Sequence, residues 1–286
     1  MIIGELRGDQ NRKLHLRLAA GGEVETVVYR GDTVCLSTQV GCAVGCPFCA
    51  SGSGGFFRNL SESELWHQLA IAQGDTPFRR VTLSGVGEPL HNWQVVASFL
   101  EQGPRRGLRV SVTTSGGPVA RLAELLAAPH NGVTVSVHAG TEAVRSRLVP
   151  RGPSLADLFG TMLEAVPGLS RRRRKKTALA YLVLPGANDS DAEVDAFIGR
   201  AAPLGLAVHL YGLNPVPSAP FARGGRERFE AIYARLRAAG LGVRMSSTAR
   251  LEAVGGCGTL VAQGAPRRAP SDTASALGRL PDEPHT

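Results

Sequence analysis

The sequence contains no apolar run of about 18 residues or more, which excludes a membrane-spanning helix. Its N-terminus lacks the basic-then-apolar order of a secretory signal, so a cytoplasmic protein with no membrane partner is expected. Lysine is scarce: Lys13, Lys175 and Lys176 are the only ones, and arginines supply the rest of the 32 basic residues. A GC-rich genome explains such a bias, and so does recognition of phosphate by the planar guanidinium. The formal net charge of +8 is local, because Arg171, Arg172, Arg173, Arg174, Lys175 and Lys176 form one run. That run is either an RNA-phosphate contact or a solvated loop. Cysteine is also sparse, with five in 286 residues. An odd number in a cytoplasmic chain argues against a disulfide framework and for metal ligation or thiol chemistry.

Hydrophobic residues make up 43% and charged residues 20%, which predicts an ordered globular chain. Segments 14–18 and 24–29 alternate apolar and polar residues around Gly21-Gly22 and predict a β-hairpin. Beyond it, strand patterns at 33–38, 80–84, 108–113, 132–137, 177–184, 206–211 and 242–246 alternate with helix patterns. The helix patterns cover 61–73, 93–102, 118–128, 154–165, 190–201 and 225–239. Ser61 with Glu64 reads as a capping box, and Asn92 before Trp93 reads as a second cap. Strands separated by helices imply parallel pairing, and six such units predict an incomplete (β/α)6 barrel. The expected organisation is a hairpin extension over 1–31, the barrel over 32–263 and a disordered tail over 264–286.

Four of the cysteines are Cys35, Cys42, Cys46 and Cys49, and the last three have C-x3-C-x2-C spacing between a strand and a helix pattern. Three thiolates hold three irons of a [4Fe–4S] cluster and leave the fourth iron open for a substrate or cofactor. The alternative is a closed zinc site with Cys35 as fourth ligand, although zinc ribbons usually carry two C-x2-C pairs.

The spacing, with Phe48 before the third cysteine, resembles the radical S-adenosylmethionine (SAM) superfamily. The flanking string from Cys35 to Cys49, followed by Gly55-Phe-Phe-Arg-Asn-Leu60, looks like the RlmN/Cfr family of RNA adenine methyltransferases. Further matches are Gly85-Val-Gly-Glu88-Pro89-Leu90, Thr113-Thr-Ser-Gly116, Ser136-Val137-His138-Ala139 and Arg145-Ser-Arg-Leu-Val-Pro150. Leu213-Asn214-Pro215, Ala219-Pro220-Phe221 and Gly256-Cys257-Gly258 complete the series. The resemblance runs over about 24–260 in the family's order and implies a radical SAM barrel of α/β class.

By this resemblance Cys42, Cys46 and Cys49 bind the cluster, while Gly87 and Glu88 meet the SAM amino group. Taken alone, the glycines would be read as permitting a βα turn. Thr113, Ser136, Val137, His138 and Asn214 fall at the C-terminal ends of strands, the active-site rim of a barrel, and match positions that contact SAM. Alone, His138 reads as a structural histidine and Asn214-Pro215 as a turn. Cys257 is flanked by glycines, which suggests a mobile, accessible loop; the alternative is a small buried cysteine.

In the family the matching cysteine is methylated by one SAM. A second SAM is cleaved at the cluster, and the 5′-deoxyadenosyl radical takes hydrogen from the S-methyl group. The carbon radical adds to adenine, whose C2 and C8 are not nucleophilic enough for direct methyl transfer. Cys35 matches the thiol that resolves the adduct. Glu25 matches the proposed base, although strand alternation equally places it in solvent. The resemblance implies ribosomal or transfer RNA as substrate, methylated more readily at C2 than C8, an external electron donor such as flavodoxin, and a monomer. Only about 23 residues precede Val24, too few for the helical N-terminal domain that such proteins usually carry. A non-RNA substrate for the same chemistry is therefore a second expectation, and a zinc-stabilised basic RNA-binding protein is a third.

Overall fold

A run of parallel strands, each returned to the sheet by a helix, is what the alternating sequence pattern demands, and the computed structural model describes it over residues 1–74, 78–214, 216 and 220–263. The chain opens on β1 (Ile2–Arg7), β2 (Asn11–Arg17) and β3 (Glu23–Tyr29), an antiparallel meander. β4 (Thr33–Leu36) pairs antiparallel with β3 and starts the barrel. Two short strands, β5 (Gln39–Gly41) and β6 (Phe56–Asn59), pair with each other and close the base of the cysteine loop. Then come α1 (Glu62–Gln73), β7 (Arg80–Leu83), α2 (Trp93–Arg105), β8 (Arg109–Thr114), α3 (Val119–Ala127) and β9 (Gly132–Ser136). α4 (Glu142–Leu148), α5 (Leu155–Ala165) and the single turn α6 (Arg171–Arg174) lead to β10 (Thr177–Val183). The order ends with α7 (Asp191–Ala201), β11 (Ala207–Gly212), α8 (Arg226–Ala238), β12 (Val243–Met245) and β13 (Ala262–Gln263).

β4, β7, β8, β9, β10, β11 and β12 are parallel neighbours in chain order. Six helical crossovers between seven strands make the expected open (β/α)6 barrel. β1 and β12 are the two ends of the sheet. Across that gap the Asn11 amide donates to the carbonyl oxygens of Ala249 (2.6 Å) and Val254 (2.9 Å), so the meander holds the segment after β12.

Side-chain alternation sorts the barrel walls. Leu36, Leu83, Val110, Val112, Val133, Val135, Leu179 and Leu210 are buried in the layer shared with the helices. The opposite rows carry small or polar residues in register: Cys35, Thr82 and Ser111 form one row across three strands, and Thr113, Thr134 and Ala178 form another. These residues line the barrel interior.

Several expectations need correction. The hairpin expected over 14–18 and 24–29 forms as β2 and β3, but β1 adds a third strand that was not expected, because it is mostly exposed and lacks the alternation of a half-buried strand. Ser61 and Glu64 do form the capping box. Asn92 precedes α2 but makes no cap: its amide donates instead to Thr38 and Leu60 carbonyls at 2.9 and 2.7 Å, tying two loops together. The basic run is neither a plain loop nor wholly solvated. Ser170 caps α6, Arg173 donates to the carbonyl of Ala127, and Arg174 donates to those of Val166 and Pro167. The tail expected over 264–286 lies outside the described residues.

Candidate active site

The three clustered cysteines sit on a loop that begins at a glycine with φ +78°; a side chain at Gly41 would overlap the carbonyl of Gly55. That close approach lets the Cys42 amide donate to Gly55 oxygen at 3.0 Å. Val44, Phe48, Leu148, Val149, Leu184 and Leu213 pack around the cysteines. Burial pushes the Cys42 thiol up to about 12, with the Glu88 carboxylate and Cys49 adding to it. Burial raises Cys46 well above the usual thiol range, reinforced by Cys49 and Cys42, and it raises Cys49 too. The three thiols thus share one apolar pocket and one another's field. Of the protein's own charges, Arg145 lowers Cys46, and a cationic iron cluster would supply what three thiolates need. The soft donor set fits a [4Fe–4S] cluster with one open iron. Among the described residues no three Cys, His, Asp or Glu side chains are already grouped as ligands of one metal ion. Cys35 is elsewhere, 3.3 Å from the Ser84 hydroxyl and packed with Val27, Tyr29 and Val86.

Glu88 follows β7. Gly87 has φ +105°, and a Cβ there would lie 2.6 Å from that of Gln39, so only glycine fits. The buried Glu88 carboxylate accepts from the amides of Leu90 (3.1 Å) and Ser115 (2.7 Å) and from the Thr114 hydroxyl. A carboxylate has about four acceptor positions, so one remains for an ammonium donor. Thr113 points into the barrel. Ser136 and Val137 both accept from Arg145 through their carbonyls, and the Val137 side chain is in the apolar core. His138 has φ +58°. Its Nδ1 accepts from the Leu182 amide at 3.0 Å, and its ring meets Phe48 edge-on at 5.4 Å. Burial, reinforced by Arg145, pushes His138 down to about 3, so the ring is neutral with Nε2 as its donor.

Arg145 stood in a quoted motif without a role. It is 1% exposed and donates to four carbonyls, those of Ser115, Ser136, Val137 and Pro153. It fixes the ends of β8 and β9 beneath the cysteine loop.

Cys257 lies after β12. The Asn214 amide donates to the carbonyls of Arg250 (2.7 Å) and Cys257 (3.0 Å), while its oxygen accepts from Arg223 at 3.1 Å. The Tyr29 hydroxyl donates to Gly255 oxygen at 2.8 Å. The glycines beside Cys257 therefore serve close approach, not slack. A Cβ on Gly256 would lie 2.5 Å from Glu252 oxygen, and one on Gly255 would lie 2.8 Å from Val27. Cys257 itself is half-buried, with its sulfur 3.1 Å from Arg250 Nη1. It is close enough to both Cys35 and Cys49 for its charge to raise them. Burial is the larger cause at Cys35, whose thiol is pushed up to about 11. Glu25 is buried rather than solvated: Lys13 Nζ pairs with it at 2.8 Å and the Val261 amide donates to it at 2.9 Å. Register puts Glu25, Val27 and Tyr29 on the face of β3 that carries Cys35 on β4.

Beside these groups lies a cavity of about 340 Å³ in the barrel, lined by Thr82, Thr113, Thr134, His209, Tyr211 and Arg250 among others. Arg250 and Tyr29 are not marked by any spacing in the sequence, since each acts through the folded neighbourhood of a motif residue; Thr114 falls within the Thr113–Gly116 match, where only Thr113 is given a role.

Residues 36–198 match the profile of the radical SAM superfamily. A probable RNA methyltransferase of Thiobacillus denitrificans is 32% identical over 96% of this chain and 74% of its own length. The dual-specificity RNA methyltransferase RlmN of Phenylobacterium zucineum is 31% identical over 97% of this chain and 77% of its own. The crystal structure of a radical SAM methyltransferase from Sphaerobacter thermophilus superposes with a TM-score of 0.79 at 32% identity, covering 91% of this chain and 80% of that one. No described helix is long and apolar enough to cross a membrane. The chain belongs to the radical SAM superfamily and, within it, to the RlmN-like methyltransferases, enzymes that work with a [4Fe–4S] cluster and SAM.

Proposed function

We propose that this enzyme methylates an adenine carbon of ribosomal or transfer RNA, C2 in preference to C8, through a methylated Cys257. The observation that carries the reading is the anchoring of the Cys257 segment to the cysteine loop, through the Ala50 amide on the Gly258 carbonyl and the Ser51 hydroxyl on the Leu260 carbonyl, each at 2.8 Å, and to Tyr29, which packs with Cys35 and donates to the Gly255 carbonyl. A thiol that accepts a methyl group, on a segment held by both the cluster loop and the neighbourhood of a second thiol, is what the methyl-cysteine route needs. The names of the relatives support RNA as substrate.

In this reading Cys42, Cys46 and Cys49 hold the cluster. Glu88, Thr113, Ser136, Val137, His138 and Asn214 form the SAM side, with Gly87 allowing the turn. The bound cluster and SAM supply the methyl group and the one-electron chemistry. The protein's share is placement. Asn214 and Tyr29 fix the Cys257 segment, Glu25 takes the adenine proton, and Cys35 attacks the Cys257 sulfur to release the RNA. The meander over 1–31 is a separate extension that closes the barrel of 32–263. The enzyme works as a cytoplasmic monomer and draws electrons from a flavodoxin-like donor. Nucleoside mass analysis of RNA incubated with the reduced, cluster-loaded enzyme and SAM tests the assignment. It should show 2-methyladenosine. SAM cleavage without any methyladenosine would remove RNA as substrate.

A further inference from the structure

The guanidinium of Arg250 is placed as an ion-pair partner, yet among the described residues it meets no carboxylate within salt-bridge distance. Its contacts are the Cys257 sulfur, 3.1 Å from Nη1, and the ring of Tyr29, 5.5 Å from the guanidinium carbon. Its backbone is tied to the same segment, because the Arg250 carbonyl accepts from the Cys257 amide at 3.2 Å and from Asn214 at 2.7 Å. Main chain and side chain of one residue thus grip both ends of Cys257.

We infer that Arg250 is the activating residue for Cys257, holding its sulfur as a thiolate and aiming it for methylation. The inference rests on the methyl-cysteine reading of the site. A thiol must lose its proton to attack carbon, and an adjacent cation favours the thiolate. The other titratable groups facing this sulfur do not supply that cation. Tyr29 on β3 and Tyr211 on β11 are held neutral by burial, as is the thiol of Cys35. His209, next to Arg250 and Arg244, is pushed down to about 4 by burial and by both arginines, so it is neutral as well. In the step itself the thiol proton leaves to solvent. The sulfur lone pair forms a bond to the sulfonium methyl, and the electron pair of the broken methyl–sulfur bond leaves with S-adenosylhomocysteine. Arg250 loses its anionic partner as the neutral thioether forms.

The test needs no methyl transfer. Cluster-loaded protein, kept free of oxygen and SAM, is alkylated with iodoacetamide, and the unmethylated fraction of Cys257 is followed by peptide-resolved mass spectrometry. Arg250→Met should slow alkylation about tenfold near pH 7. The loss should disappear as the pH is raised, and Arg250→Lys should keep most of the rate. Arg250→Gln, measured in the same way, provides a second neutral variant. A wild-type rate in either neutral variant, or a slowing equal at every pH, would overturn the inference, since a packing role has no pH signature. Methyl incorporation in Cys257→Ala is read separately: retained incorporation would sink the methyl-cysteine reading while leaving the alkylation result standing.

Discussion

The amide of Ala50 donates to the carbonyl oxygen of Gly258 at 2.8 Å, so the loop of Cys42, Cys46 and Cys49 shares a backbone hydrogen bond with the segment of Cys257. The Ser51 hydroxyl adds a second link at 2.8 Å, to the carbonyl of Leu260. The position of Cys257 is therefore set from the cysteine loop on one side and from Asn214 and Tyr29 on the other.

Gly256 is where this arrangement is least tolerant. An added Cβ would meet backbone oxygen at 2.5 Å and Asn214 Nδ2 at 2.6 Å, and a carbonyl cannot swing aside as a side chain does. Gly256→Ala should cost about 1–3 kcal/mol of stability by overpacking. It should leave iron content near about four per chain, yet lower methyl incorporation at Cys257 at least tenfold. Iron assay and peptide mass on the same preparation check both halves.

Arg145 gives a different outcome. Its planar fork satisfies four carbonyls, and neither a lysine nor an apolar residue can reach them all. Buried carbonyls left unpaired are expensive. Arg145→Lys and Arg145→Met should each destabilise by about 3–5 kcal/mol, read as a lower urea midpoint, with cluster assembly lost together with the fold.

These two residues show what was legible in the sequence. The cysteine spacing, the glycines before Glu88 and the strand-end positions of Thr113, Ser136 and His138 are local features, and periodicity placed them on the correct strands. β5, β6 and α4 were not found, because elements of three to seven residues carry too few repeats to show a period. Arg250, Tyr29 and Arg145 matter through contacts between distant segments, which no local pattern encodes. Asn92 and the glycines around Cys257 were misread for a related reason: their residue types suit a cap and a loose loop, whereas tertiary contacts assign them a clamp and a close approach.

Three buried or half-buried histidines should make stability fall toward acid pH. Burial pushes His138 down to about 3, and His130 and His209 to about 4, all below the ordinary value of 6.5. The unfolded chain therefore takes up protons before the folded one does. The contribution is fully present above about pH 6.5 and is lost as the pH falls toward the folded values. For the buried His138 the loss approaches at most about 1.4 kcal/mol per pH unit in that window. Urea unfolding at about pH 7.5 and pH 5.5 should show lower stability at the acid pH, and His138→Gln should flatten the dependence.

Resolution of the RNA adduct is the last step open to direct observation. In the proposed route the adenine stays bonded to the Cys257 sulfur through the transferred carbon until Glu25 removes a proton and Cys35 attacks that sulfur. Cys35→Ala removes the attacking thiol from a buried position whose neighbours, Val27 and Val86, are apolar, so the fold should survive. Glu25→Gln keeps an acceptor for the Val261 amide but removes the base and the partner of Lys13. Both variants should accumulate protein that carries RNA through a denaturing gel, and product should fall at least a hundredfold. Because burial pushes the Cys35 thiol up to about 11, its thiolate fraction rises with pH, and release in the wild type should quicken from about pH 7 to pH 9. Cys35→Ala should lack that acceleration. If neither variant retained RNA while the wild type formed methyladenosine, release would not depend on these two residues, and the roles of Cys35 and Glu25 would have to be reassigned.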